Sequence, residues 1–404
     1  MPVHFTRRLV VLTAMRWFPV GLVVPVLILL LGARGLPLNQ VGQVMAVYGI
    51  VTLSLELPTG GLADAWGRRP VVVAAALLSA VGLAALAFVG QVPLIVLAVA
   101  TLGAARALSS GPVESWFVDA MHEAGHFDIE AGLAKGGIAE SLALGAGSVI
   151  GGLLPGLFSA LPTAGPGLIA LSVPFVAAAV MMVVFALIAA ALVSDGSASG
   201  SASVAGTVMD ATRHSMRHAP VRRVLLVALC LGLMLSGIEL LAPNTFAGLL
   251  GGATQTSGLY GILTAAGFVT AAAGAALSTR LPGRRQWVAM GAYLVAAGLV
   301  MLVGVPLLGV AAVSFLLFYM MIGLQGPVMA GLLHDRVQAR MRATMMSVES
   351  LMFQGGGALA SLLVGALAAA AGLIAGLGVV AVTAVAAAGL LLIDRDEPTT
   401  DDDM

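Results

Sequence analysis

Charged residues are scarce in this sequence of 404 residues: aspartate, glutamate, lysine and arginine together make up only 9% of it. An ordinary soluble domain contains about 25% charged residues, so these charges cannot cover a water-facing surface of this size. Hydrophobic residues instead make up 60%, which is enough for about twelve membrane-spanning helices of roughly 20 residues each. The composition predicts a polytopic membrane protein and excludes a soluble enzyme, a nucleic-acid-binding protein and a disordered scaffold.

Other features that the sequence lacks narrow the class further. The single cysteine, Cys230, cannot form an intrachain disulfide, and the net charge of zero implies neither an acidic nor a basic partner. Aromatic residues are few, whereas the 51 glycines suit closely packed membrane helices. The apolar stretch after Arg7 and Arg8 is too long for a cleavable signal, so we expect it to be the first spanning helix.

Apolar runs between polar, glycine or proline breaks predict an all-α membrane protein with twelve spans. We number them spans 1 to 12: 9–32, 39–60, 71–90, 93–117, 136–160, 165–193, 222–249, 256–279, 286–306, 308–333, 343–370 and 373–393. Nearly all lysines and arginines fall in the connections on one side, which is the pattern of cytoplasmic loops. We therefore expect a multi-pass protein of the cytoplasmic (inner) cell membrane with both termini in the cytoplasm.

A break rich in Ser, Gly and Ala at 194–220 divides the spans into two sets of six. Its composition is that of a flexible cytoplasmic linker. We expect an N-terminal bundle at 1–193, a C-terminal bundle at 221–393 and an acidic tail at 394–404.

A repeat across this linker indicates that the two bundles are pseudo-symmetric. The pair Arg7-Arg8 before span 1 matches Arg222-Arg223 before span 7, and 67–69 after span 2 matches 283–285 after span 8. Two six-helix halves related by a parallel repeat are a transporter architecture, with substrate bound near the middle of the membrane.

The connection between spans 2 and 3 carries the most specific motif, ELPTGGLADAWGRRP at 56–70. Its glycines permit a tight turn, and Asp64 suits a helix N-terminus or a cation. The motif resembles the signature G-x-L-a-D-r-x-G-r-r of the major facilitator superfamily, with six positions in the same spacing: Gly60, Leu62, Asp64, Gly67, Arg68 and Arg69. Ala65 departs from this signature, which has a basic residue at that position.

The resemblance implies that this motif latches the two halves on the cytoplasmic side and controls their rocking. It implies gating roles for Gly60, Asp64, Gly67, Arg68 and Arg69. It also suggests an acidic partner at the cytoplasmic end of span 4, and Asp119 fits that position. The Glu56 prefix and a partial glycine pattern in span 5, at 147–156, are most similar to drug/proton antiporters, although the glycines equally suit plain helix packing.

Ionisable side chains inside the spans are the candidates for coupling transport to protons, because charges at membrane depth are costly and usually mark pathways or relays. Five lie at shallow cytoplasmic depth and also suit a structural ion-pair layer at an inner gate: Arg16, Glu56, Glu114, Glu140 and Glu349. Arg106 lies deeper, in span 4. The resemblance favours a proton-coupling role for Arg106, whereas physical reasoning equally permits an ion pair with Glu114, which needs a bend near Pro112.

Glu239, beyond the midpoint of span 7, is the strongest candidate. Apolar surroundings disfavour the charged form of a carboxyl group, so such a group exchanges protons near neutral pH. We expect Glu239 to be protonated from the outside and to couple the proton gradient to substrate movement, with a substrate-cation contact or a structural hydrogen bond as alternatives. The proton-coupling candidates are Glu239, Arg106, Glu56, Glu114 and Glu349.

Aromatic, thioether and amide side chains in several spans suit an adaptable apolar pocket, and interhelical packing is their alternative role. The candidate substrate-binding residues are Arg16, Trp17, Tyr48, Glu239, Tyr260, Phe315, Tyr319, Gln325, Phe353 and Gln354. His122 and His126 are four residues apart, but a solvated loop explains them better than a metal site. No phosphate-binding loop and no nucleophile–base pair is visible, so we expect neither an enzyme nor a cofactor.

These observations predict a secondary transporter that exports small lipophilic or amphiphilic, drug-like compounds in exchange for protons by alternating access. The alternative is uptake or flipping of a metabolite or lysolipid by the same fold, and a non-transporting sensor or membrane enzyme is remote. Its partners are then a small-molecule substrate, protons and the lipid bilayer, without nucleic acid, and we expect it to act as a monomer.

Overall fold

The computed structural model of the chain describes residues 3–126, 129–194, 219–281, 284–334, 336 and 342–392. Within these ranges the regular elements are fourteen α-helices and one turn of 3₁₀ helix. Twelve helical segments of the described chain are long and apolar enough to cross a membrane. The prediction of an all-α membrane protein with twelve spans is confirmed.

The helices of the first half of the chain form six of these segments. They are α1 (Val3–Val23) with α2 (Leu27–Ala33), α3 (Leu38–Trp66), α4 (Arg68–Phe88), α5 (Val92–Ser109) with α6 (Pro112–Glu123), α7 (Glu130–Leu157), and the 3₁₀ turn Ala170–Ser172 with α8 (Val173–Leu192).

Six long helices make up the described part of the second half. They are α9 (Ala219–Leu250), α10 (Ala253–Ser278), α11 (Arg285–Val303), α12 (Leu308–His334), α13 (Arg342–Ala371) and α14 (Leu373–Leu392).

Two glycines end helices at places that matter for the site. Helix α3 continues through most of the motif to Trp66, six residues past the predicted end of span 2, and Gly67 alone connects it to α4 with φ of 89°. Gly111 separates α5 from α6 with φ of 90° and ψ of −24°. Only glycine adopts such backbone angles readily, and Pro112 suits the first position of α6 because no N–H is needed there.

The chain folds into two compact units. Unit 1 comprises the described residues of Met1–Val204 together with Phe246–Ala265, and unit 2 comprises those of Ala205–Thr245 and Ala266–Met404. The boundary therefore falls inside α9 and α10, so that the last turns of α9 and the first half of α10 belong to unit 1.

Small residues bring the helices of unit 1 into backbone contact. A methyl group at Gly147 of α7 would collide with the Phe18 carbonyl oxygen and with Gly21 of α1, and one at Gly151 would collide with the Leu22 carbonyl oxygen. On another face of α7, Ser257 of α10 donates a 2.9 Å hydrogen bond to the Gly152 carbonyl oxygen. Such contacts are how membrane helices associate without a hydrophobic driving force. Gly147 and Gly151 thus pack α7 against α1, and Gly152 packs it against α10.

Arg34, just after α2, ties together several segments of unit 1. Its Nη2 donates hydrogen bonds to the carbonyl oxygens of Leu86 and Ala87, at 3.0 and 2.8 Å, where α4 ends. The same nitrogen reaches the Gly167 carbonyl oxygen and the Ser172 hydroxyl, both at 3.3 Å. Burial lowers the pKa of the Arg34 guanidinium, which nevertheless stays charged. A cation at a helix C-terminus complements the helix dipole.

Candidate functional site

The break between α5 and α6 lies at the centre of the charged residues of unit 1. Arg106 is in the last turn of α5 and Glu114 in the first turn of α6. Each charge therefore lies at the helix end whose dipole favours it. The bend near Pro112 is present, but Arg106 and Glu114 do not form the ion pair that such a bend would permit.

Glu114 pairs instead with Arg16 of α1. The Arg16 Nη1 atom is 3.3 Å from the Glu114 Oε1 atom, and Arg16 Nη2 donates to the Ser109 hydroxyl at 3.4 Å. Ser109 in turn donates to the Arg106 carbonyl oxygen at 2.9 Å. Only 7% of Arg16 is exposed. The buried guanidinium thus connects α1 to both sides of the break.

Trp17 lies between two cations. The guanidinium carbons of Arg16 and Arg106 are 5.2 and 5.5 Å from the centroid of its ring, within the range of a cation–π interaction. The indole nitrogen of Trp17 is buried and has no hydrogen-bond partner among the described residues. The Trp17 ring therefore contacts both cations while its only hydrogen-bond donor is unused.

The carboxyl group of Glu140, on α7, and the phenol group of Tyr48, on α3, lie within electrostatic range of Arg16. Glu140 also lies within electrostatic range of Arg106 and Glu114, although no ion pair within the described ranges joins it to either arginine. We call the five residues Arg16, Trp17, Arg106, Glu114 and Glu140 the arginine cluster. It holds two positive and two negative charges when both carboxyl groups are ionised.

The motif near Gly67 contributes a second ion pair to unit 1. Arg68, the first residue of α4, places its Nη2 atom 2.5 Å from the Asp119 Oδ2 atom of α6. Arg69 is exposed. The side chain of Asp64 and the surroundings of Gly60 lie outside the described part of the chain. Within the described part, Arg68–Asp119 is thus the motif contact that holds α4 to α6.

Unit 2 brings together a different pair of predicted site residues. Glu239 is the one acidic residue of α9, and its side chain is exposed. The hydroxyl of Tyr319, on α12, donates to the Glu239 Oε1 atom at 3.4 Å. Tyr319 is itself buried, with its ring 4.9 Å from that of Phe315 and 6.0 Å from that of Phe318. We call Glu239 and Tyr319 the carboxyl–phenol pair.

The remaining predicted residues are more dispersed. Gln325 is fully buried, and neither atom of its amide group has a hydrogen-bond partner among the described residues. Tyr260 packs on Phe246 in unit 1, with the ring centroids 6.0 Å apart. The Gln354 amide donates to the Ser350 hydroxyl at 3.4 Å.

Phe353, Glu56 and Glu349 complete the set, and all three are half-buried. The Phe353 carbonyl oxygen faces Gly232, where α13 and α9 approach closely. Glu349 acts electrostatically on Tyr293 of α11. None of these three belongs to the arginine cluster or to the carboxyl–phenol pair.

Ser109 is the contact residue that the sequence did not single out. Its hydroxyl links Arg16 to the end of α5. A serine directly before Ser110-Gly111-Pro112 was the available signal, because hydroxyl side chains often satisfy backbone groups where a helix ends.

The fold and the site define the class of protein: an all-α membrane protein with charged side chains inside its spans. Residues 9–348 match the family model described as Major Facilitator Superfamily. The chain therefore belongs to the major facilitator superfamily, and it is a secondary transporter. A search of curated proteins finds no significant relative.

Solved structures show the same fold at low sequence identity. The nucleoside transporter NupG, as a point mutant, has a TM-score of 0.81 and 14% identity, with 96% of this chain and 99% of that chain covered. A bacterial homologue of the human lysosomal transporter Spinster has a TM-score of 0.73 and 15% identity, with 97% and 96% covered. The peptide transporter POT in complex with sulfate has a TM-score of 0.75 and 15% identity, with 96% and 94% covered.

Proposed function

We propose that the protein exports small lipophilic or amphiphilic compounds in exchange for protons, as the drug/proton antiporters do. We place it in the cytoplasmic membrane with both termini inside, on the distribution of lysine and arginine. The observation that carries the proposal is the carboxyl–phenol pair. Glu239 interrupts an apolar helix of 32 residues, and an intramembrane carboxyl group is a candidate for proton transfer.

The surroundings of Glu239 suit a group that gains and loses a proton. Its side chain is exposed at the surface of the chain, and the neutral hydroxyl of Tyr319 is its hydrogen-bond partner. A phenol can donate to a carboxylate and can accept from a carboxylic acid, so both states keep a hydrogen bond. An arginine in this place would instead hold the carboxyl group ionised.

One of the two ion pairs of unit 1 suits gating. Both Arg16–Glu114 and Arg68–Asp119 end on α6, but Arg16 is buried whereas the Asp119 side chain is partly exposed. We propose that the Arg68–Asp119 pair holds one state of the transport cycle and opens in the other. Because 45% of the Asp119 side chain is exposed, water can replace the pair at little cost, as a reversible gate requires.

The alternative function is uptake or flipping of a metabolite or lysolipid by the same fold. The arginine cluster favours this alternative, because guanidinium groups inside a span suit a substrate with an anionic head group. Transport direction separates the two functions.

The test is a transport assay in proteoliposomes with an imposed pH gradient of either sign and a panel of lipophilic cations, anionic amphiphiles and neutral drugs. We expect substrate to move against the proton flux. Glu239→Gln should abolish gradient-driven movement and preserve exchange of labelled for unlabelled substrate at equal pH. Glu123→Gln, at the exposed end of α6, is the matched control and should behave as the wild type.

Two outcomes would contradict the proposal. If Glu239→Gln leaves proton-driven movement unchanged, Glu239 is not part of the relay. Substrate that moves in the same direction as the protons would establish the uptake alternative.

A further inference from the structure

Arg106 is the less compensated of the two arginines in the arginine cluster. Arg16 donates to Glu114 and to Ser109, whereas Arg106 lies against the Trp17 ring at 5.5 Å. No residue in the described ranges forms an ion pair with Arg106 within 4.0 Å. A guanidinium group whose neighbour is an aromatic face keeps most of its attraction for an anion, because the ring supplies only a partial negative charge.

The Trp17 ring that Arg106 contacts also carries a hydrogen-bond donor. Its nitrogen is buried without a partner among the described residues, and an indole N–H can only donate. A buried donor without an acceptor is unfavourable, so native structures usually supply one from the protein, from water or from a ligand. The acceptor that suits both Trp17 and Arg106 is an oxyanion.

Glu140 is a carboxyl group of the arginine cluster that would repel a bound anion. It lies within electrostatic range of Arg16 and Arg106, but in the part of the chain that the structure describes it forms an ion pair with neither of them. Glu114 is already engaged by Arg16 at 3.3 Å. Glu140 therefore neutralises Arg106 only from a distance, and a ligand anion in direct contact would interact more strongly, because the Coulomb energy rises as the separation falls.

We propose that Arg106 and the Trp17 N–H bind the anionic head group, a carboxylate or a phosphate ester, of an amphiphilic substrate. The planar guanidinium supplies paired donors that match the two oxygens of such a group. Glu140 weakens this binding by repulsion and so excludes weakly held anions. The movement of this substrate rests on the proposed transport function, whereas its binding does not.

The test measures binding to the full chain in nanodiscs of phosphatidylcholine by isothermal titration calorimetry. The probes share one apolar body and differ in charge: 2-naphthoate, 2-naphthamide and 2-naphthylmethylammonium. We expect naphthoate to bind at least about 10-fold more tightly than the other two, as a charge-assisted hydrogen bond predicts.

Opposite effects of two substitutions make the test specific. Arg106→Gln should weaken naphthoate binding by about 10- to 100-fold, and Trp17→Phe, which keeps a ring but loses the N–H, by about 3- to 10-fold. Glu140→Gln should tighten it by about 3- to 10-fold. Arg106→Lys keeps the charge and should retain part of the affinity. Binding by this variant would show that a substitution at this position does not prevent folding. Arg280→Gln, on an exposed turn after α10, is the control and should change nothing.

The same experiment identifies the source of the anion. If phosphatidylglycerol in the nanodisc competes with naphthoate, the natural head group belongs to a bilayer lipid; if it does not, the substrate is a soluble amphiphile. Equal affinity for the three probes, or a change in the same direction with Arg106→Gln and Glu140→Gln, would overturn the proposal. The binding measurement uses no pH gradient and so does not depend on transport. If proton-coupled transport is absent but naphthoate is still preferred, the proposed transport function is wrong and the proposed binding site is retained.

Discussion

The arginine cluster of unit 1 and the carboxyl–phenol pair of unit 2 accommodate charge inside the membrane in different ways. In unit 1, Arg16 is 7% exposed and has a carboxylate as its partner. In unit 2, Glu239 is exposed and accepts a hydrogen bond from a neutral hydroxyl. The ion pair of unit 1 stays charged throughout a transport cycle, whereas Glu239 can lose its charge by binding a proton.

This difference separates a structural role from a coupling role. Removing one member of a buried ion pair leaves the other charge uncompensated, which is strongly destabilising. Removing the charge of a carboxyl group whose partner is a neutral hydroxyl leaves no opposite charge unpaired. We therefore expect substitutions in the Arg16–Glu114 pair to act mainly on stability and those at Glu239 to act mainly on coupling.

The largest expected effect on stability comes from Glu114→Gln, which leaves the Arg16 guanidinium without its anion. A broken buried pair costs about 3–5 kcal/mol. Because 42% of the Glu114 side chain is exposed, water screens part of this, and we expect about 2–3 kcal/mol. Glu239→Gln makes the same replacement of a carboxyl group by an amide and should lower the free energy of unfolding by less than about 1 kcal/mol. Thermal unfolding of the purified protein in detergent measures both.

A double substitution checks the cause of this loss. Arg16→Gln combined with Glu114→Gln removes both charges, so it should be more stable than Glu114→Gln alone. If the stability that the double variant loses relative to the wild type equals the sum of the losses of the two single variants, the two side chains do not interact and the comparison between the units fails.

The next largest expected effect on stability comes from Gly147→Ala, which tests whether the close contact of α1 with α7 holds Arg16 in position. Gly147→Ala places a methyl group against the Phe18 carbonyl oxygen in the contact of α1 with α7. Overpacking of this kind costs about 1–3 kcal/mol, and moving α1 would also displace Arg16 from Glu114. We expect a lower unfolding temperature for this variant.

Gly137→Ala is the matched control on the same helix, because nothing lies within 4 Å of its added methyl group. Alanine has the higher helix propensity, so this control should be unchanged or more stable by up to about 1 kcal/mol. Equal destabilisation by both substitutions would show that close packing is not what Gly147 provides.

The fold was predictable because its signals are local. Apolar runs predicted twelve spans, and twelve suitable segments are found in the described chain. The sequence Gly111-Pro112 also marked the bend in span 4, because glycine and proline act on the backbone at their own position. The end of span 2 was missed by six residues, since the glycines of 60–67 suggest a loop whereas α3 continues to Trp66.

The contacts of the site were not predictable, because they depend on how helices are rotated about their axes. Sequence reasoning left Glu114 either a pair with Arg106, eight residues away on the same span, or a place with Arg16 in a shallow ion-pair layer. The structure pairs it with Arg16, 98 residues away. The Glu239–Tyr319 contact joins residues 80 positions apart. A sequence pattern indicates the depth of each side chain in the membrane, but not which neighbouring helix it faces.

The smallest expected effect concerns the hydroxyl of the carboxyl–phenol pair. Tyr319→Phe removes the donor to Glu239 and keeps the ring against Phe315. The contact is long, at 3.4 Å, so we expect a loss below about 1 kcal/mol, seen as an up to about fivefold lower rate of gradient-driven transport. Tyr293→Phe is the matched control, because the Tyr293 hydroxyl is buried without a partner among the described residues; its removal should leave transport unchanged. A comparable decrease with both variants would mean that the phenol group near Glu239 has no special part in coupling, and that Glu239 exchanges its proton with water alone.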